Sequence, residues 1–168
     1  MLCATMRSDS RKSRAPVWVL WVVAISFALH ATEEYFTGWQ SWALQISGIV
    51  VPTSLFISAN FVAVVAAFAV ACNGWKWPAV SLIFPAATLV NGIFFHILPT
   101  IAMRRVSPGV YTASLLYLPF SSYAFFVAWR NRVNRKSVAL AFLLGVVLNC
   151  GVVLGVWFMS DAPLRTAL

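Results

Sequence analysis

Acidic side chains are scarce in this chain: four stand against twelve Lys and Arg in 168 residues, and two of the four, Glu33 and Glu34, are adjacent. Histidine is rarer still, at two. Charged residues of either sign make up 10% and hydrophobic residues 61%, with a mean hydropathy of +0.85. That composition excludes an ordinary soluble domain, in which about 25% of residues are charged. The three cysteines, Cys3, Cys72 and Cys150, form no C-x-x-C pair, and the last two lie inside apolar runs. Neither a disulfide framework nor a thiolate metal site is therefore indicated. There is no glycine-rich phosphate loop, no internal repeat and no low-complexity segment. The net charge of +8 does not imply nucleic acid, because the basic residues sit in short clusters between apolar runs, as in the loops of membrane proteins.

What is present is a succession of apolar stretches, each near the roughly 20 helical residues that a hydrocarbon core requires. The chain reads as all-α, a polytopic membrane bundle of about five transmembrane helices, over 17–36, 53–72, 78–103, 110–129 and 137–159. A basic tail (1–16) precedes a single transmembrane domain (17–160), and a short tail (161–168) follows it. Pro16, Pro78 and the Ser107-Pro108-Gly109 turn punctuate the helices. Under the rule that short cytoplasmic loops retain Lys and Arg, nine basic residues fall inside and three, Arg104, Arg105 and Arg165, outside. The expected placement is a multi-pass protein of the bacterial inner membrane with a cytoplasmic N-terminus. A rival reading makes the first span a cleaved signal peptide, with Ser26-Phe27-Ala28 as the small-residue site.

The scarce residues gather. In L-H-A-T-E-E-Y-F, residues 29–36, His30, Glu33 and Glu34 stand at i, i+3 and i+4, within an arc of about 100° on a helix. His96, in N-G-I-F-F-H-I-L-P, lies at a similar depth in the third span if both helices run the same way. Asn91 precedes it by five, which is about 140° away on a regular helix. A π-bulge associated with Pro99 would bring the two to one face. Two imidazoles and two carboxylates suit a divalent transition metal, Zn, Fe or Mn, with His30, Glu33 and His96 as ligands, Asn91 as a conditional one, and Glu34 as a further ligand or the catalytic base. Arg104 and Arg105 are candidate binders of a substrate head group.

H-A-T-E-E at 30–34, N-x4-H at 91–96, and arginines followed by S-P-G and a threonine resemble the bacterial membrane family named for its HXXEE motif. The resemblance runs from the first span to about Thr112 and implies an integral membrane protein; it brings no assigned activity. The family's Y-x-P-G motif is altered here, with Val106 in the tyrosine's place and Tyr111 a possible substitute. The expected function is a metal site acting on a lipid or other hydrophobic molecule, against proton- or cation-coupled transport or a non-catalytic assembly role. The expected partners are the bilayer, that substrate and a second copy meeting the Gly151/Gly155 face, with no nucleic acid.

Overall fold

The computed structural model describes residues 15–159. Most of the basic tail and the whole C-terminal tail, with Arg165, lie outside the described residues. Six helices follow one another: α1 (Trp18–Thr37), the short α2 (Trp39–Ser47), α3 (Thr53–Asn73), α4 (Pro78–Met103), α5 (Val110–Arg130) and α6 (Arg135–Met159). All but α2 are long and apolar enough to cross a membrane, and no strand occurs among the described residues. The chain is a membrane protein of the all-α class. Its many exposed Phe, Leu, Ile, Val and Trp side chains are those expected of a surface solvated by lipid.

The helices are drawn together by small side chains at one end of the bundle. Val19, Leu20, Val23 and Ala24 of α1 pack with Ala67 and Ala71 of α3, Leu82 and Phe84 of α4, Ala124 and Ala128 of α5 and Ala141 of α6. With no hydrophobic drive between helices in lipid, close backbone approach supplies the packing. Gly145 of α6 shows it: a Cβ there would lie 2.8 Å from the Ala87 nitrogen of α4. Four residues on, Asn149 Nδ2 donates to the carbonyls of Ala87 and Gly145, at 3.1 and 2.8 Å. Polar contacts add to the contact between α4 and α5, where Thr88 Oγ1 and Ser121 Oγ lie 2.6 Å apart, both buried. Towards the opposite end α6 leaves the bundle: a Cβ on Gly151 or Gly155 would meet no atom within 4 Å.

That opposite end holds the C-terminus of α1, all of α2, the N-terminus of α3, the C-terminus of α4 and the N-terminus of α5. The C-terminus of α1 turns through Gly38, in the left-handed region at φ 82°. Arg105, just beyond α4, ties α2 down: its guanidinium sits 5.6 Å from the Trp42 ring centroid and donates to Gln45 Oε1 at 3.2 Å. Here too, α4 and α5 each contain a π-helical turn, Gly92–Ile97 and Ala113–Tyr117. Both turns are followed by Leu-Pro, Leu98-Pro99 and Leu118-Pro119. A proline lacks the N–H that a regular helix would give to the carbonyl four residues earlier, so the local ladder is free to widen.

Candidate metal centre

The inward stripe of α1 runs Val19, Val23, Ser26, His30, Glu34, all buried. These steps of three and four residues follow one helix face, so the packing face becomes polar where α1 nears its end. Glu33 lies 100° from Glu34 around the helix and belongs to a different contact. Its two oxygens accept the backbone N–H groups of Tyr111 at 3.2 Å and Thr112 at 2.8 Å. Glu33 thus caps the first turn of α5, where unpaired N–H groups and the helix dipole both favour an anion.

This differs from the expectation that put Glu33 first among the carboxylate ligands, with Glu34 as a base or a further ligand. The structure brings together His30, Glu34 and His96, each buried, and turns Glu33 to α5. The two Nε2 atoms lie 3.1 Å apart, and each is 3.5 Å from Glu34 Oε1. The π turn in α4 places Asn91 on the same face, its Oδ1 3.1 Å from His96 Nε2. Arg104 and Arg105 are not part of the cluster. Among the described residues the ion pairs are those of Glu34 with the two histidines, and no Lys or Arg pairs with either glutamate.

Hydrogen bonds on the far side of each ring set the tautomers. His30 Nδ1 lies 2.8 Å from Thr112 Oγ1, and that hydroxyl donates to the Gly109 carbonyl at 3.3 Å. Thr112 therefore accepts from Nδ1–H. His96 Nδ1 lies 3.3 Å from Ser107 Oγ, which faces the carbonyls of Pro108 at 3.3 Å and Phe95 at 3.5 Å. Since carbonyls only accept, Ser107 gives its one proton to one of them, and its oxygen takes the proton of Nδ1. Assigned in this way from their partners, both Nε2 atoms present lone pairs to each other, to Glu34 and to Asn91. With these tautomers four acceptors converge, an arrangement that a metal ion or a shared proton would relieve.

The Ser107-Pro108-Gly109 turn closes the cluster from this end, and all three residues are buried. Gly109 has φ +90°, and a Cβ there would stand 2.6 Å from His30 Cε1 and 2.9 Å from His96 Cε1. Only a hydrogen fits between the turn and the two rings. Sequence reasoning marked this turn as a motif without giving it a contact. It also missed Thr112 as an orienting partner and Tyr117, whose ring lies 4.4 Å from that of His30, centroid to centroid. Tyr117 is fully buried and its hydroxyl has no hydrogen-bond partner, an omission that costs about 1–3 kcal/mol. The Leu-Pro that follows each π turn was the available signal for both the Asn91–His96 pair and Tyr117.

A helical membrane protein with a buried His/Glu cluster is the class that fold and site define. Residues 21–124 match the family described as proteins of unknown function with an HXXEE motif, and the chain belongs to that family. No curated protein and no solved structure matches it.

Glu33 gives an independent test of the geometry. Glu33→Ala should lower stability in detergent by about 1–2 kcal/mol, by uncapping α5, and leave the His30, Glu34 and His96 positions unchanged. Thermal unfolding of the purified protein measures it. Wild-type stability in this variant would show that the cap carries no weight.

Proposed function

We propose that this is a membrane-embedded metalloprotein that binds one divalent transition metal, Zn, Fe or Mn, through His30, Glu34 and His96, and serves a lipid or other apolar molecule. The observation that carries this reading is the convergence of three buried side chains, His30, Glu34 and His96, with their ligand atoms within 3.5 Å of one another. Their spacing fits: two ligands each 2.0–2.1 Å from a tetrahedral ion stand about 3.3 Å apart, beside the observed 3.1, 3.5 and 3.5 Å. Charge fits as well, since the buried Glu34 carboxylate has no Lys or Arg partner, and a cation between it and the imidazoles would offset its charge. Asn91 Oδ1 would supply the fourth ligand atom, or yield that position to a bound molecule.

Two histidines and one carboxylate form a set found in catalytic zinc and non-haem iron sites. A metal bound there supplies Lewis acidity towards an oxygen atom. Thr112 and Ser107 hold the imidazoles in the required tautomer, as outer hydrogen bonds to metal-bound histidines do. The second oxygen of Glu34 would serve as the proton acceptor. Arg104 and Arg105, at the same end of the bundle, are the groups suited to a phosphate or carboxylate head group. Metal analysis of detergent-purified protein tests the reading: about one equivalent per chain is expected. Folded protein that stays metal-free after incubation with zinc, iron and manganese would remove it.

The 3.1 Å Nε2–Nε2 contact supports a second reading, in which one proton is shared between His30 and His96 and passed to Glu34. That reading requires the metal-free outcome and pH-dependent cation or proton flux through proteoliposomes.

The orientation proposed with this function is a bacterial inner membrane with the N-terminus in the cytoplasm. A reporter fused after Leu168 should then report the external side, and one in the loop of Arg130, Arg132, Arg135 and Lys136 the cytoplasmic side. Both reporters on one side would break the five-span topology.

A further inference from the structure

We infer that a cavity beside the cluster binds the oxygen-bearing end of an apolar molecule dissolved in the membrane, which enters between α3 and α6 and accepts a hydrogen bond from Tyr117. The inference rests on the reading that the site serves an apolar molecule, and it names that molecule's class.

The cavity measures about 140 Å³ and reaches His30, Glu34 and His96. A cavity of about this size, lined by aliphatic and aromatic side chains, takes up benzene. The space therefore holds one end of a longer molecule, about six non-hydrogen atoms. Its wall is apolar, with Phe27, Phe56, Ala63, Phe95, Val152 and Val153. Two of these, Val152 and Val153, are otherwise exposed on the part of α6 that leaves the bundle, so the wall is continuous with the lipid-facing surface. Phe56 and Asn60 also border an outer groove between α1 and α3, lined by Tyr35, Ile57 and Val64. Lipid thus meets the cavity from the side, while the Ser107-Pro108-Gly109 turn blocks the cluster from the membrane surface.

Polarity in the wall selects the kind of group. Asn60 and Asn149 use their amide N–H groups on backbone carbonyls, of Phe56 for the first and of Ala87 and Gly145 for the second. Tyr117 is among the residues that line the same cavity, and its hydroxyl is buried with no partner. A buried donor without an acceptor suits a carbonyl, ester or ether oxygen, and the Tyr117 ring itself lies against His30, one of the proposed metal ligands. A pure hydrocarbon would leave the hydroxyl unpaired.

Two photoactivatable probes test this on the full chain in proteoliposomes: a long-chain methyl ketone, and the same chain without the oxygen, each with a diazirine at the same carbon. Mapping of cross-linked peptides should show several-fold more labelling of the α3 and α6 wall by the ketone. Tyr117→Phe should equalise the two probes, and Val153→Trp, which fills the cavity, should remove labelling by both. Equal labelling of the wild type by the two probes, or a ketone preference that survives Tyr117→Phe, would overturn the inference. Metal content measured on the same samples judges the metalloprotein reading separately: metal-free protein that keeps a Tyr117-dependent ketone preference would overturn that reading and sustain this one.

Discussion

Metal should be lost from His30→Ala, His96→Ala and Glu34→Gln and retained in Glu33→Gln and Cys72→Ala. The first three substitutions each remove an atom from a cluster whose members lie within 3.5 Å of one another. With three protein ligands, losing one should weaken binding by more than about 100-fold, the upper range for removing a mere outer-sphere partner. Thr112→Val and Ser107→Ala, which take away such partners, should fall within about 10–100-fold. Glu33 faces the first turn of α5 and keeps a carbonyl acceptor when changed to Gln, and Cys72 is exposed on α3. Binding should also strengthen as pH rises, because the imidazole Nε2 atoms and the carboxylate must shed protons to act as ligands. Metal analysis and competition with a chromophoric chelator at several pH values measure all of this. Loss in Glu33→Gln with retention in Glu34→Gln would assign the two glutamates the opposite way.

The exchange between the glutamates shows where sequence reading stops. Five spans are legible because length, hydropathy and proline punctuation act locally, and the observed helices lie close to the expected limits. His30 and His96 are legible as a pair because rise per residue fixes their depth and rare ionisable residues inside a membrane stand out. Rotation about the helix axis is not legible in the same way. A soluble helix declares its buried face by an apolar stripe, whereas α1 is apolar on the lipid side as well as on the bundle side. Val19, Val23 and Ser26 point inward and Trp18, Trp21, Ile25 and Leu29 outward, so nothing in polarity said which glutamate continued the inner face. Asn91 was reachable only through the π turn, since a regular helix would have set it about 140° from His96. Tyr117 was hidden for a different reason: an aromatic residue in an apolar span reads as packing material, and its missing hydrogen bond exists only in three dimensions.

Gly109→Ala should abolish the site, and Gly38→Ala, made as its counterpart, should leave it intact. Both glycines occupy the left-handed region, at φ +90° and +82°, where an L side chain costs about 1–3 kcal/mol. Their surroundings separate them. A Cβ on Gly38 meets nothing within 4 Å, so that substitution carries backbone strain alone. A Cβ on Gly109 would press on His30 Cε1 at 2.6 Å, His96 Cε1 at 2.9 Å and Glu34 Cγ at 3.0 Å, contacts that force the turn or the rings to move. Both rings are buried and tied through Nδ1 to Thr112 and Ser107, so a shift of the turn also breaks the bonds that set the tautomers. The strain is similar in the two variants and the clash exists in one. Gly38→Ala should therefore lower thermal stability modestly and bind metal as the wild type does, whereas Gly109→Ala should bind at least about 100-fold more weakly, as if a ligand had been removed. Equal metal affinity in the two variants would mean that the Pro108-Gly109 turn does not rest on the histidines, and the role assigned to it as the closing wall of the cluster would have to be given up.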